Sequence, residues 1–385
     1  MTDTPLDIGV LGYRFMGKAH ANAFARLPMF FEDAPELHRD VLVGRDEEAL
    51  ADAADSLGFA RTATDWHDVI DEVDVFYNLG PNHVHAEPSI AALEAGTPVF
   101  CEKPLAPTLD AAEAMGEAAA AADVPAGVAF NYRFVPAIQY AKNLIEAGEL
   151  GELHHFRGRY LQDWLVDPDA PWSWRNDKEI AGSGALGDLG AHTIDLARFL
   201  VGDVAEVSGH LRTFVDERPV EGSETPAESR ENEGGGAAER ETRPVTVDDA
   251  YSAQVAFENG VMGTLEASRF ADGHKNDHTI EIEGSKGGLR FSLERLNELE
   301  VMREGNRGYE TVLVTDPDDP YVEHWWPPGH VIGWEHTFVH ENDEFLSAVA
   351  HGDSYEPSFA AGVAVQRVLD AVERSDDSRE WVDVE

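Results

Sequence analysis

The start of the chain carries the segment that decides the fold, Asp7-Ile8-Gly9-Val10-Leu11-Gly12-Tyr13-Arg14-Phe15-Met16-Gly17. The apolar residues 7–11 predict a short β-strand, and the residues after Gly17 predict a helix. Gly12 and Gly17 therefore stand at a strand–turn–helix junction, where glycine permits a tight turn and the helix N-terminus faces a pyrophosphate. Arg14 holds the middle glycine position of this dinucleotide-binding fingerprint. We expect its guanidinium to lie near the phosphates.

The first third of the chain repeats this alternation of strands and helices. Further strands are predicted at residues 41–43, 73–77 and 98–101, and helices at 18–27, 47–57, 87–95 and 109–122. Strands separated by segments of helix length imply right-handed crossovers and a parallel sheet that is covered on both faces. We therefore predict an α/β Rossmann domain over residues 5–130.

The pattern changes after residue 131. Helices are predicted at residues 136–147 and 188–200, and strands at 154–160, 206–214, 250–257, 262–268, 278–283 and 288–292. Turn signals between these strands imply antiparallel pairing. Residues 131–385 therefore predict an α+β domain with a large, mostly antiparallel open sheet. Residues 216–243 are rich in Glu, Ser, Arg, Pro and Gly, which predicts a solvated, mobile insertion between two strands.

The composition is strongly acidic, with 74 Asp and Glu residues against 29 Lys and Arg and a formal net charge of −45. Such a charge repels itself in dilute buffer and is tolerated when concentrated salt shortens the Debye length to about 3 Å. It predicts adaptation to a hypersaline cytoplasm and argues against nucleic acid as a partner. No long apolar run and no signal-peptide profile is present, so we predict a cytoplasmic protein without a membrane partner.

Metal and disulfide chemistry find little support in the sequence. Cys101 is the only cysteine, which rules out an intramolecular disulfide and a cysteine-rich metal cluster. His336 and His340 are spaced four residues apart, but the glutamate that follows the first histidine in zinc proteases is missing. We predict no metal site and assign these histidines to core or subunit packing.

Two loops at the carboxyl ends of predicted strands are candidates for cofactor contacts. Gly44 stands where an acidic residue would bind the ribose 2′-hydroxyl of NAD, and Arg45, which follows it, suits a 2′-phosphate. The sequence therefore favours NADP, while Asp46 keeps NAD open. Asn82 and His85 lie in the next loop and are predicted to reach the same crevice. The alternative is a plain loop that caps a helix.

Three motifs give the chain a specific resemblance. They are Glu102-Lys103-Pro104 after a Rossmann strand, Asn131-Tyr132-Arg133-Phe134, and Gly184-Ala185-Leu186-Gly187-Asp188-Leu189-Gly190-Ala191-His192. In this order they resemble the Gfo/Idh/MocA oxidoreductase family, which includes inositol, glucose and xylose dehydrogenases, and the likeness runs over nearly the whole chain. Residues 16–20, 28–31, 160–164 and 268–270 further resemble the levoglucosan dehydrogenase-like branch.

The resemblance implies a catalytic set of Lys103, Asp188 and His192. Asp188 and His192 are four residues apart, so on a helix they would share one face, where the carboxylate would orient the imidazole and keep its pKa near neutral. We expect His192 to act as general base, Lys103 to stabilise the developing alkoxide, and Asp188 to hold one of them. The cofactor contacts are predicted at Gly12, Tyr13, Arg14, Phe15, Met16, Gly17, Arg45, Asn82, His85, Glu102 and Lys103.

A polar and aromatic cluster precedes the predicted catalytic helix. The predicted substrate contacts are Tyr132, Gln162, Trp164, Trp174 and Arg175, together with Asp188 and His192. Aromatic faces and hydroxyl-binding groups are typical of sugar sites, although these tryptophans could equally pack in the core or at an interface.

The sequence thus predicts an NAD(P)-dependent dehydrogenase that oxidises a secondary hydroxyl of a monosaccharide, anhydrosugar or inositol. Three alternatives stay open: glycosidase-like transient oxidation, reduction of C=N or C=C bonds, and a non-catalytic NADP-binding regulator. The resemblance also implies a homodimer or homotetramer formed through the open sheet.

Overall fold

The computed structural model describes residues 5–221 and 240–385. Its first part alternates strands and helices in the order β1 Leu6–Leu11, α1 Phe15–Phe30, β2 Leu37–Val43, α2 Glu47–Leu57, β3 Arg61–Ala63, β4 Val75–Asn78, α3 Ala86–Glu94, β5 Val99–Cys101, α4 Leu109–Ala121 and β6 Ala126–Val128. All pairs are parallel, and the strand order is β3-β2-β1-β4-β5-β6. This is the Rossmann order, in which ligands bind where the order reverses, between β1 and β4.

The predicted Rossmann fold is confirmed, and its core explains why. Ile8 and Val10 of β1 are buried at the centre of the sheet, as are Val41 of β2 and Val75 of β4. Strands β3 and β6 were not predicted, because each has only three residues and little apolar character.

The second part contains α5 Pro136–Glu146, β7 Leu153–Leu161, α6 Lys178–Ala181, α7 Ala191–Leu200, β8 Val204–Arg212, β9 Glu217–Pro219, β10 Thr242–Pro244, β11 Ala250–Phe257, β12 Met262–Ser268, β13 Asp277–Gly284, β14 Gly288–Ser292, β15 Glu298–Met302, β16 Glu310–Leu313, α8 Glu335–His351, α9 Phe359–Ser378 and β17 Val382–Asp383. Nine of these strands form one sheet in the order β16-β15-β14-β13-β7-β12-β11-β8-β17. Only β7 and β12 pair in parallel, so the predicted mostly antiparallel sheet is confirmed.

One face of the nine-stranded sheet is covered and the other is open. Phe156 and Tyr160 of β7 are buried under the helices, whereas Arg157 and Arg159 alternate with them and are exposed. Gly158 permits close packing, because a Cβ there would lie 2.4 Å from Cγ2 of Thr193 in α7. This alternation is typical of an antiparallel sheet with one packed face.

The helices α8 and α9, which the sequence argument did not assign, pack against both parts of the fold. Asn342 of α8 contacts His20 of α1, and Arg367 of α9 forms an ion pair with Glu113 of α4. The backbone amide of Val128 in β6 donates to the carbonyl of Pro357. The C-terminal residues therefore contribute to the first part of the fold, and the predicted domain boundary near residue 130 stays a prediction.

The prediction that residues 216–243 form a solvated, mobile insertion is wrong at both ends of this segment. Strands β9 and β10 pair as an antiparallel ribbon, which we call the β9–β10 ribbon, and Arg218 within it is fully buried. The sequence gives no sign of this burial, because a buried arginine in a polar segment has no apolar signature. Residues 222–239 lie outside the described residues. Among the helices that are described, none is long and apolar enough to cross a membrane.

Candidate active site

The turn between β1 and α1 requires its first and last glycines. Gly12 has a φ of 104°, and a Cβ there would lie 2.5 Å from the carbonyl oxygen of Leu79. At Gly17 a Cβ would lie 2.4 Å from the carbonyl oxygen of Gly12. Arg14 at the middle position has a φ of −82°, so it does not need the left-handed backbone that favours glycine.

The N-terminus of α1 is suited to a phosphate group. No side chain caps it and no acidic residue lies in its first turn. Arg14 and Phe15 are exposed beside it, and Met16 is partly buried. Free backbone amides, the positive end of the helix dipole and a nearby guanidinium all favour a bound anion. The cradle formed by Gly12 and Gly17 therefore fits the pyrophosphate of a dinucleotide.

The end of β2 has no acidic side chain facing the crevice. The ring of Tyr13 lies over Gly44, where a Cβ would be 2.4 Å from Tyr13 Cε1. Asp46 caps α2 by accepting the amide of Ala49 at 3.1 Å. Arg45 is exposed, and its charge, after burial, lowers the pKa of His83 in the loop that follows β4. The guanidinium therefore lies close enough to the loop after β4 to act on His83.

Asn82 and His85 have different positions. The Asn82 amide donates to the carbonyl of Ala181 at 2.8 Å and links the loop after β4 to α6. His85 is fully buried, with Nε2 3.0 Å from the carbonyl oxygen of Gly80 and Nδ1 3.1 Å from that of Pro104. Its ring joins two backbone turns beneath the crevice surface, and these partners give the predicted cofactor contact of His85 no support.

Glu102 is also buried, directly before the predicted catalytic lysine. One carboxylate oxygen accepts the backbone amide of Lys103 at 3.1 Å, and the other lies 3.4 Å from Nε2 of His20. Asn342 of α8 contacts the second nitrogen of His20. Glu102 thus fixes the backbone of Lys103 from behind, and its predicted contact with a cofactor has no support from these partners.

Lys103 and Asp188 meet although they are 85 residues apart. Lys103 Nζ donates to the backbone carbonyl of Asp188 at 2.7 Å and to its Oδ1 at 3.3 Å. Asp188 lies in a π-helical turn, Leu186–Gly190, that leads into α7. Burial would raise the pKa of Asp188, but Lys103, followed by Arg175 and Arg269, lowers it. The carboxylate is therefore ionised beside a cation.

His192 does not pair with Asp188, and that prediction is wrong. Its Nδ1 is buried, and no group of the described residues lies within hydrogen-bonding distance of it. Burial, followed by the charges of Lys103 and His278, lowers the pKa of His192 well below its usual value of 6.5. The wider π-helical turn carries Asp188 toward Lys103 instead, so the helical spacing of four residues did not bring the two groups together. His192 is neutral, with Nε2 as its accessible nitrogen.

A chain of polar groups leads from His192 to the surface. The ring of Tyr132 lies 4.4 Å from that of His192, and its hydroxyl is 2.8 Å from the hydroxyl of Tyr160. The Tyr160 hydroxyl donates at 2.6 Å to Asn276 Oδ1, which also accepts the amide of Gln162 at 2.8 Å. Gln162 in turn accepts from Nε1 of the exposed Trp164 at 2.9 Å. The predicted residues Tyr132, Gln162 and Trp164 therefore form one network.

Residues 162–176, which we call the tryptophan loop, end at Trp174 and Arg175. The Arg175 guanidinium lies 4.5 Å over the Trp174 ring, and its charge acts on Asp188. The loop therefore carries predicted substrate contacts at both ends, with Asp188 near the second.

Four side chains near this site were missed by sequence reasoning. Asn276 and Tyr160 join the polar chain, His278 stacks on Tyr160 at 4.6 Å, and Trp334 stacks on the exposed Phe15 at 5.6 Å. They come from β7, from the segment before and at the start of β13, and from the segment before α8, so no local motif links them. Within residues 5–221 and 240–385, no group of three or more His, Cys, Asp or Glu side chains is arranged to hold a metal ion.

Known proteins share this architecture. Residues 6–130 match the oxidoreductase family with an NAD-binding Rossmann fold, and residues 138–290 match the GFO/IDH/MocA C-terminal domain. The levoglucosan dehydrogenase of Pseudarthrobacter phenanthrenivorans is 43% identical over 387 residues, which is 98% of each chain. A levoglucosan dehydrogenase structure in complex with NADH and levoglucosan has a TM-score of 0.91 and 42% identity, covering 99% of this chain and 100% of that chain.

A solved oxidoreductase domain protein from Kribbella flavida is similar to the same degree. Its TM-score is 0.92 at 47% identity, covering 99% of this chain and 100% of that one. Full-length likeness at this identity, together with the glycine turn and the Lys103 motif, shows that the chain is an oxidoreductase of the Gfo/Idh/MocA family.

Proposed function

We propose that this protein is an NAD(P)-dependent dehydrogenase that oxidises a secondary hydroxyl of a monosaccharide, anhydrosugar or inositol. The observation that carries the proposal is the ion pair of Lys103 Nζ with Asp188, held at the carboxyl end of β5 beside the neutral His192. The set supplies a cation for a developing alkoxide and a base for its proton. Full-length likeness to levoglucosan dehydrogenase makes levoglucosan the first candidate substrate.

The first turn of the fold would hold the cofactor. Gly12 and Gly17 admit the pyrophosphate, Arg14 adds positive charge, and the free amides of α1 bind the phosphate oxygens. A dinucleotide held there would supply the hydride acceptor for oxidation of the carbinol carbon, which is the cofactor's own chemistry.

The chain's own residues move the proton. His192 Nε2 takes it from the substrate hydroxyl, because its low pKa keeps the ring neutral at physiological pH. Lys103 Nζ donates a hydrogen bond to the same oxygen and stabilises the negative charge that develops there. Asp188 acts through Lys103: its carbonyl and carboxylate hold the ammonium group in position.

The polar chain beside His192 suits a polyhydroxylated substrate. Tyr132, Gln162 and Asn276 present hydroxyl and amide groups, and Trp164 is 43% exposed at the outer end, where it can pack on the C–H face of a sugar ring. Arg175 and Asp188 supply further hydrogen-bonding groups at the inner end.

We infer that NADP is the preferred dinucleotide and that NAD is also accepted. Arg45 is exposed at the end of β2, and the carboxylate of Asp46 is occupied as a helix cap. Replacing Arg45 by Ala should lower kcat/KM for NADP about tenfold and leave NAD nearly unchanged, since one charge-assisted phosphate contact is lost. Arg61→Ala, which removes the ion pairs of Arg61 in β3 with Asp40 and Glu72, is the control. Equal losses for both cofactors would contradict this role of Arg45.

The experiment that tests the function is a reduction assay in molar KCl. NAD and NADP are supplied separately with levoglucosan, glucose, xylose, galactose and the inositols, and absorbance of the reduced nicotinamide is followed. Reduction with one of these substrates supports the proposal. Cofactor binding without reduction by any of them would favour transient oxidation, reductase chemistry or a regulator. The same assay across KCl concentrations tests the proposed salt adaptation, since a net charge of −45 predicts higher activity and stability in concentrated salt.

We further propose a homodimer or homotetramer formed through the open sheet. Its exposed face alternates arginines and glutamates, including Arg157, Arg159, Glu281 and Arg290, so it is far less negative than the chain as a whole. Light scattering after size exclusion tests this, and Arg159→Glu should weaken the assembly.

A further inference from the structure

We infer that Arg218 is a positioning residue: its buried guanidinium holds the tryptophan loop in the shape that the sugar site needs. The inference rests on the proposed function, because it assigns the β9–β10 ribbon to substrate recognition. Arg218 Nη2 donates to the carbonyl of Leu165 at 2.8 Å, and Nη1 donates to those of Asp167 at 2.9 Å and Ala170 at 3.4 Å. Three carbonyls of one loop thus surround one cation.

Because Arg218 is buried, losing these hydrogen bonds would be costly in free energy. The side chain is fully buried, and within the described residues its hydrogen bonds go to backbone carbonyls and not to a carboxylate, although the chain has 74 acidic residues. A buried charge is costly unless it is hydrogen-bonded, so the guanidinium and the loop depend on each other. Phe270 lies under the guanidinium at 5.7 Å and closes the site from the other side.

The ribbon also forms hydrogen bonds with the same loop at a second point, Trp172. The backbone amide of Trp172 donates to the carbonyl of Pro219 at 2.7 Å, and its Nε1 donates to that of Pro244 at 3.0 Å. The two contacts engage β9 and β10 respectively. The loop is therefore fixed to both strands of the ribbon, between the residues that hold Arg218 and the residues that reach Asp188.

The two ends of the loop explain why its shape matters for substrate. Gln162 binds Asn276 in the polar chain beside His192, and the charge of Arg175 acts on Asp188. Leu165 is buried, so the loop is anchored between these ends. If the middle of the loop moved, its end groups would shift relative to the sugar, and displacements near 1 Å reduce catalysis about 100-fold in other enzymes. Among the described residues, the hydrogen bonds of β9 and β10 go to the tryptophan loop and to each other and not to the cofactor cradle.

The test uses Arg218→Met, which keeps an unbranched, though shorter, side chain and removes all donors, and Arg218→Lys, which retains the charge. Arg303→Met is the matched control, because Arg303 forms only an exposed ion pair with Glu149. Hydrogen exchange of peptides covering residues 165–172 is measured first, and it needs no substrate. We expect exchange there to rise at least about tenfold in Arg218→Met, less in Arg218→Lys, and not at all in Arg303→Met.

The kinetic readout is the KM for the sugar that the reduction assay identifies, beside the Kd for the reduced cofactor. We expect KM to rise about 10- to 100-fold in Arg218→Met while the cofactor Kd stays within about twofold. Should that variant fail to fold, Trp172→Phe removes the Nε1 donor to Pro244 and shrinks the ring over which the Arg243 guanidinium lies at 5.0 Å. It should raise KM a few-fold with the same unchanged Kd.

Unchanged exchange over residues 165–172 would overturn the inference, and so would faster exchange with unchanged KM. If no sugar is oxidised by the wild-type protein, the proposed function fails. The exchange result then still decides whether Arg218 holds the loop.

Discussion

Asp188 and Glu341 are two carboxyl groups in opposite surroundings: the Asp188 side chain is 30% exposed beside a cation, and that of Glu341 is fully buried. Asp188 accepts from Lys103 Nζ, and the positive charges of Lys103, Arg175 and Arg269 lower its pKa despite burial. Glu341 in α8 is fully buried, and neither carboxylate oxygen has a hydrogen-bond partner in the part of the chain that the structure describes. Burial, followed by the charge of Glu102, raises its pKa well above the usual range.

The difference shows how neighbouring charges, together with the depth of burial, decide whether a carboxyl group is ionised. Asp188 remains a carboxylate and can position a cation in the site. Glu341 keeps its proton and lies near the buried hydroxyls of Tyr77 and Tyr355, whose pKa values are raised by burial and then by Glu341. One group serves chemistry through its charge, and the other is tolerated because it is neutral.

The largest effect is expected when Asp188 loses its cation. Lys103→Met should lower kcat about 1,000-fold, because the donor that stabilises the alkoxide is removed. The pKa of Asp188 should rise, because one of the positive charges that offset the effect of burial is removed. Cofactor Kd, measured by nicotinamide fluorescence, should change little. The exposed Lys286→Met is the control, and turnover within about tenfold of wild type would contradict the role of Lys103.

Loss of the base should be the next largest effect. His192→Ala should lower kcat about 100-fold. In the wild type, the low pKa of His192 keeps the ring neutral at neutral pH, so kcat should stay level from about pH 8 to 6.5 and fall only at lower pH, as the ring gains a proton. The pH–rate profile measures this. A rate that already halves near pH 6.5 would show that His192 retains an ordinary pKa.

A matched pair of amide variants separates the two carboxyl groups directly. Asp188→Asn should lower kcat about tenfold or more, because the ammonium of Lys103 loses its charged partner. Glu341→Gln should leave kcat within about twofold, because the native group is already neutral. Steady-state kinetics with the identified sugar gives both values. Comparable losses of kcat in the two variants would contradict the conclusion that Asp188 is ionised and Glu341 is neutral.

The smallest expected effect is on the free energy of unfolding, and its size depends on pH. A raised pKa in the folded state stabilises the protein below the unfolded pKa, and this contribution is lost as pH rises through the folded pKa. Glu341→Gln removes that loss, so its free energy of unfolding should exceed that of the wild type by about 1–3 kcal/mol at pH 8–9 and by less at pH 5. Thermal unfolding at both pH values tests this. A variant that is less stable at pH 9 would indicate an ionised Glu341.

Local pattern was enough to predict the Rossmann half. The strand at residues 7–11 and the glycines at its end act through neighbours in the chain: Gly12 needs a positive φ, and Gly17 approaches Gly12 closely. The same holds for Lys103, because its place after a strand puts it at the crevice edge. The positions of these groups follow from residues within one turn or strand.

Contacts between distant segments could not be predicted from the local sequence pattern. His85 was expected at the cofactor and is buried between two turns, and Arg218 was expected in a solvated insertion and lies in the core. Asn276, Tyr160 and Trp334 complete the site from separate elements. Their sequences carry no sign of this, because side chains of this kind are equally common on surfaces.

The sequence by itself determined the fold class, the glycine turn, the acidic surface and the identity of the candidate catalytic trio. Only the tertiary structure decided which members of the trio touch: a π-helical turn and a loop 85 residues away bring Asp188 to Lys103 and leave His192 with neither. Strand and turn formation depends on residues adjacent in the chain. Ionisation and pairing depend on burial and on charges that only folding brings within a few ångströms.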